Sequence, residues 1–182
     1  RELGLGQLAA ELAALLSERD LLSPLHGSDI HDRLALLRGE QSFNGVDRGR
    51  LRLVREAVRR LEPRGGERRE EHNDDAGRLL ALAYPDRIGQ RRPGGEPRFV
   101  LANGRGALLP PEDRLAREPW LVVAESDGKA REARIFLAAP VSAAALEETL
   151  GAAIRDEEFV DWDAQAQAVL ARRQRRLGAL VL

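Results

Sequence analysis

The stretch Phe99-Val-Leu-Ala-Asn-Gly-Arg-Gly-Ala107 decides the fold. Phe99, Val100 and Leu101 form a short apolar run rich in β-formers, and Asn103–Gly104 supplies turn chemistry directly after it. The same alternation continues downstream. Trp120 to Val123 and Ile135 to Leu137 are further apolar runs, separated by Pro110–Pro111 and Asp127–Gly128. Asp-Gly between two such runs predicts a hairpin. The second half of the chain therefore reads as short strands, with a helix over residues 141–153 and another strand from Phe159 to Trp162.

Upstream the period changes. Leu5, Leu8, Leu12, Leu15 and Leu16 recur at three- and four-residue spacing, the mark of a helix with one apolar stripe. Pro24 and Gly27 break it. A second short helix follows, with Asp29 as its N-cap and Ile30, Leu34 and Leu37 on one face. A third is predicted to turn Leu51, Val54, Val58 and Leu61 inward before Pro63 and Gly65–Gly66 end it. Residues 63–75 hold no large apolar side chain and read as an exposed linker. Leu79 to Ala83 is a short helix stopped at Tyr84–Pro85, since the residue before proline avoids helical backbone. The tail, residues 164–182, has helix-favouring composition, but its position after several strands favours one or two closing strands.

Composition narrows the function. The 182 residues are 43% apolar and 32% charged, with 29 basic and 30 acidic side chains and a net charge of −1. Bulk charge makes no case for nucleic acid, so any such case rests on local clusters. Cysteine is absent, which removes disulfides, thiolate metal sites and cysteine nucleophiles and fits a reducing cytoplasm. No apolar run is long enough to span a membrane. Methionine is absent too, and the chain is expected to start inside a longer polypeptide. Lys129 is the sole lysine; the other basic residues are arginines, whose planar fork grips phosphate or carboxylate.

Several motifs are excluded. Gly4-Leu-Gly-Gln-Leu-Ala9 fits the letters of a dinucleotide fingerprint but lacks the preceding strand that the mechanism requires. There is no phosphate loop with a lysine, no serine elbow and no paired metal-ligand spacing around His26, His31 or His72. Asp161 and Asp163 flank Trp162 and read as a solvated strand face. No cofactor or metal is expected in this segment.

Three arginine clusters remain. Arg48, Arg52, Arg55 and Arg59 step along one face of the third helix. Arg87, Arg91, Arg92, Arg98 and Arg105 surround the helix-to-strand junction. Arg172, Arg173, Arg175 and Arg176 lie within five residues of the tail. Each can contact phosphate oxygens through forked hydrogen bonds, and the scarcity of aromatics argues against extensive base stacking.

A family resemblance joins these blocks. Gly77-Arg-Leu-Leu-Ala-Leu-Ala-Tyr-Pro-Asp-Arg-Ile-Gly-Gln-Arg-Arg92, the Phe99–Ala107 stretch, Trp120–Ala124, Arg134-Ile-Phe-Leu-Ala-Ala-Pro140, Trp162–Asp163 and Arg172–Leu182 resemble, in order, segments of bacterial HrpB-type DEAH-box helicases. Leu12–Asp20, with its "LLSERD" string, resembles the helicase-associated helical domain. The resemblance implies an α+β chain: a helical, ratchet-like domain over 1–62, a linker over 63–75, then a connector helix and an oligonucleotide-binding-like β-barrel over 76–182. The motor domains, which would hold ATP and magnesium, and the family's C-terminal region lie outside the chain. This segment is then a non-catalytic accessory region. Its expected partners are single-stranded nucleic acid, taken as RNA, and the parent's own motor domains. The residues expected to grip the backbone are Arg87, Arg91, Arg92, Asn103 and Arg105, then Arg172, Arg173, Arg175 and Arg176. Tyr84, Pro85 and Asp86 are expected to fix the joint between the two parts. The rival reading is a protein-interaction module, its arginines paired with acidic residues of the motor domains or an outside partner.

Overall fold

The computed structural model describes residues 4–62, 69–129, 131–163 and 167–182. Within them the α+β expectation holds: five α-helices accompany a closed five-stranded barrel and a separate small sheet. No helix among the described residues is long and apolar enough to cross a membrane.

Helix α1 (Gly6–Ser17) buries Leu8, Leu12 and Leu15 along the predicted stripe. Helix α2 (Ile30–Arg38) starts where Asp29 accepts the amide of His31 at 2.9 Å. It ends at Gly39, whose φ of 79° is a backbone that glycine adopts without steric cost. Helix α3 (Arg48–Leu61) is capped by Asp47 and buries Val54 and Val58. Leu51 is only partly buried and Leu61, in the last turn, stays exposed rather than pointing inward.

The strands β1 (Ile88–Arg91), β2 (Arg98–Leu101), β3 (Gly106–Leu108), β4 (Trp120–Ser126) and β5 (Glu132–Pro140) close in the order β1-β2-β3-β5-β4. Of the barrel pairings among the described residues only β3–β5 is parallel: the long connection after β3 carries the chain to β4 beside β1, and the short turn after β4 returns β5 alongside β3. Alternation sorts each strand's side chains to two faces. Phe99, Leu101, Leu121, Val123 and Ile135 fill the barrel. Ile88, Val122, Leu137 and Ala139 are buried on the other side, in the helical core with Leu8, Leu34 and Leu80; the irregular β4–β5 register around Glu125 breaks the alternation of β5 between Ile135 and Leu137. Helices and barrel thus share one apolar interface.

Helix α4 (Asp75–Ala83) wedges into that interface and stops before Pro85 as expected. Gly77 makes the close approach possible: a Cβ there would sit 2.5 Å from the Pro140 carbonyl oxygen and 2.7 Å from Val141 Cβ. Helix α5 (Ala143–Leu150) packs beside α4, and Arg78 of α4 reaches Glu148 at 2.5 Å.

Two boundaries differ from the sequence reading. The barrel strands end at Pro140, not at residue 182. Strands β6 (Arg155–Asp163), β7 (Ala168–Leu177) and β8 (Leu180–Val181) form their own sheet in the order β6-β7-β8. The helix-favouring tail is strand because β6 offers it a continuous antiparallel partner, from Arg155↔Arg176 to Asp163↔Ala168. This sheet is pinned to the barrel by the Ala179 amide on Ala102 O (2.9 Å) and by Gln90 on Val181 O (2.9 Å). The second difference concerns the linker. Residues 63–68 lie outside the described residues, but 69–75 are anchored: buried Asp75 accepts the His72 amide at 2.7 Å and takes Arg69 at 2.5 Å, and Glu71 pairs with Arg38 at 2.9 Å. A polar stretch can be held by charge even though it buries nothing apolar.

A polar seam joins the halves. The Ser28 carbonyl accepts the Ala138 amide at 2.8 Å, and Asp113 accepts the Ser28 amide at 2.9 Å. Next to them buried Asp29 pairs with Arg114 and with His31. Burial alone would push the Asp29 carboxyl up; the hydrogen bonds from His31 and Arg114 outweigh it and hold the group below the usual carboxylate value. For neighbouring Asp32 burial prevails over the pull of Arg114, and its carboxyl is raised.

These shifts have opposite consequences for stability. Asp29 contributes stability that is present above the ordinary aspartate value of about 3.9 and is lost as pH falls through its depressed folded-state value. Arg114→Ala is expected to destabilise the fold by about 1–3 kcal/mol, read as a lower urea midpoint at pH 7, because Asp29 stays buried with one donor fewer. Asp32→Asn is expected to raise the midpoint at pH 7, where the unfavourable ionised form is populated, and to have no effect below pH about 3, where the carboxyl is protonated in both states. Gly77→Ala is expected to cost about 1–3 kcal/mol by overpacking against Pro140 and Val141, measured in the same way.

Candidate nucleic-acid interface

The predicted arginines do not converge. Arg87 donates to the Ala124 carbonyl at 3.0 Å and lies over the Tyr84 ring, 4.7 Å from its centroid. Its guanidinium therefore ties the end of α4 to β4. The Asp86 carbonyl accepts the Asn103 amide at 3.1 Å, which ties the same joint to the β2–β3 turn. Asn103 in turn accepts the Arg105 amide on its side-chain oxygen at 3.0 Å. That bond, with Gly104 at φ 82°, shapes the turn. Arg105 is exposed beside it, with no ion-pair partner among the described residues.

Arg91 and Arg92 sit at the other end of β1. Their amides bond to Pro119 O (2.9 Å) and Arg98 O (2.8 Å), which fixes the backbone there. Arg91 is half-buried and its Nε has no partner; Arg92 is exposed. Neither has an ion-pair partner among the described residues. Arg117, two residues before Pro119, is also exposed, with no ion pair among the described residues. Sequence reasoning missed Arg117 because only the Gln90↔Trp120 pairing brings its segment beside β1. Arg98 is held by Glu96 at 2.7 Å and Glu132 at 3.5 Å. The length of β1 separates Arg91 from the Arg105 turn by roughly 10 Å.

The tail cluster is divided and neutralised. Adjacent residues of a strand face opposite ways, so Arg173 and Arg175 share one face and Arg176 lies on the other. Arg173 meets Asp156 at 3.0 Å, Arg175 meets Glu147 of α5 at 3.1 Å and Arg176 meets Glu157 at 3.7 Å. The Arg172 side chain lies outside the described residues. In the α3 stripe, Arg55 donates to the Leu37 and Leu36 carbonyls at 3.0 and 3.4 Å, closing the C-terminal end of α2. Arg48, Arg52 and Arg59 remain exposed, without ion pairs among the described residues.

The barrel is thus seated on a helical bundle and followed by a long ribbon. Residues 153–182 match the family model described as "ATP-dependent RNA helicase HrpB, connector region". The ATP-dependent RNA helicase HrpB of Escherichia coli strain K12 is 33% identical over 176 residues, covering 96% of this chain and 20% of the relative. A crystal structure of the E. coli DExH-box NTPase HrpB superposes with a TM-score of 0.73 at 31% identity, over 97% of this chain and 20% of that one. Another, of the E. coli DEAH/RHA helicase HrpB, gives a TM-score of 0.72 at 24% identity over the whole of this chain and 21% of that one. The chain spans about one fifth of the length of these relatives. Over nearly all of its length the chain is similar to HrpB-type helicases, and residues 153–182 match their connector region. The ribbon β6–β8 falls within the connector match, so part of the family's own distinctive sequence is present where the sequence reading expected the barrel to close.

Replacing Arg175 by Ala is expected to loosen the ribbon from α5 while leaving the barrel intact. Hydrogen exchange checks this: amides of β6 and β7 should exchange faster and those of β1 to β5 unchanged.

Proposed function

We propose that this region holds the phosphate backbone of single-stranded RNA beside the motor domains of a longer HrpB-type polypeptide. Arg91 and Arg92 make the contacts, with Arg117 alongside. The observation that carries the reading is that their guanidiniums have no carboxylate partner among the described residues, whereas Arg173, Arg175 and Arg176 do. A strand that must be held in any sequence calls for phosphate contacts and few base-edge contacts. Unpaired arginines at the mouth of a small barrel suit that task, since no internal ion pair has to be broken first. RNA is the strand proposed because the E. coli relative is an RNA helicase. ATP and magnesium would act in motor domains outside this segment, in the cytoplasm. A second reading, docking onto another protein surface, draws support from the ribbon, where Val160 and Val169 are 70% and 63% exposed.

Titration of a labelled oligouridylate at several salt concentrations separates the two. Log K is expected to fall by about 0.7 per log unit of salt for each phosphate contacted. Arg91→Glu with Arg92→Glu should flatten that slope by about 1.4, while Arg173→Glu with Arg175→Glu leaves it unchanged. In the full-length parent the first pair should lower RNA-stimulated ATPase more than basal ATPase. No binding at low salt, or equal loss from both pairs, favours the docking reading.

A further inference from the structure

A cleft runs between the short turn Pro24–His26 and the outer face of β5. Two adjoining hollows of about 470 and 260 Å³ form it, and Gly27, Ser28, Pro110, Asp113 and Arg134 line both. Ser28 is 3% exposed, yet its hydroxyl has no hydrogen-bond partner. Buried polar groups are normally bonded, so an orphan hydroxyl lining a cleft points to a group that arrives from outside. Leu25 is 95% exposed and Phe136 is 38% exposed. Leu25 lines one hollow and Phe136 the other, and large exposed apolar side chains along a cleft mark a surface that is covered in use.

Charge selects the kind of cover. Asp20, Asp29, Asp32, Glu112, Asp113 and Glu125 line the two hollows, against the guanidiniums of Arg114 and Arg134. Arg33 holds Asp20 at 2.6 Å and Arg114 holds Asp29. Asp113 accepts the amides of Ser28 and Leu115. Asp32 has Arg114 only at 3.6 Å. Glu112 and Glu125 have no ion-pair partner among the described residues. The cleft therefore keeps an excess of uncompensated negative charge.

We infer that in the longer HrpB-type polypeptide this cleft is filled by an extended segment from outside these residues, carrying a basic side chain next to an aliphatic one. The basic group meets Glu112 and Glu125, the aliphatic group covers Leu25 and Phe136, and a backbone carbonyl accepts the Ser28 hydroxyl. The same polypeptide is the source because this chain accounts for only 20% of its relative's length. A tethered segment needs little contact area, since its effective concentration is high. The inference does not depend on the RNA-gripping reading, whose residues lie elsewhere on the barrel.

Cysteine accessibility tests it in the full-length protein, in a background freed of other cysteines; this segment has none. Leu25→Cys is compared with Ala144→Cys on the exposed face of α5, using a maleimide reagent. Leu25→Cys is expected to react at least about tenfold more slowly, because only the undocked population is open to reagent. Adding Glu112→Lys and Glu125→Lys should bring the two rates together. Equal rates without those changes overturn the inference. So does protection that fades on dilution, which identifies a second copy as the cover, or protection that survives the charge reversal.

Discussion

Ser28 and Asp29 form the seam on which the architecture depends. Their segment lies between two helices in sequence, yet its carbonyl and amide bond to residues of the barrel more than eighty positions away. Asp29 carries several duties there. It caps α2, orients His31 and neutralises Arg114. A buried carboxylate is costly unless it is hydrogen-bonded, and here cap amide, imidazole and guanidinium supply three donors. The apolar interface supplies non-directional attraction between helices and barrel. The seam fixes the register in which they meet.

That register determines what the barrel presents. Because α2 and α4 cover one outer face, Ile88, Val122 and Leu137 are unavailable to any ligand. The opposite outer face, with Arg134 and Phe136, stays open. The barrel ends stay open too, with Arg91 and Arg92 at one and Arg105 at the other. The helical part thus acts as a mask that assigns each barrel surface to packing or to solvent. The ribbon is masked only at its base, where Leu177 and Leu180 enter the common core.

Arginine is where counting residues misleads most. Four guanidiniums in five tail residues look like one basic patch, but a strand deals them alternately to two faces and brings carboxylates of β6 and α5 to three of them. Arg87 and Arg55 are likewise spent, on the carbonyls of Ala124 and of the α2 terminus. Arg91 and Arg92 have no carboxylate partner among the described residues: the segment across from them bonds Arg91 through the Pro119 backbone carbonyl, and Glu118 beside it makes no ion pair there.

Local chemistry was legible in the sequence: the leucine stripe of α1, the Asp29 cap, the stop at Tyr84–Pro85, the strand runs at Phe99, Trp120 and Ile135, and the family they resemble. Such features depend on the few residues around them, through dihedral preference and short-range hydrogen bonds. The end of the barrel at Pro140, the anchoring of residues 69–75 and the pairing of the tail with β6 rather than with the barrel were settled by tertiary structure. So was the division of the arginines into free and paired. Each of these depends on which distant group comes within hydrogen-bonding reach, a pairing that no short window of sequence contains.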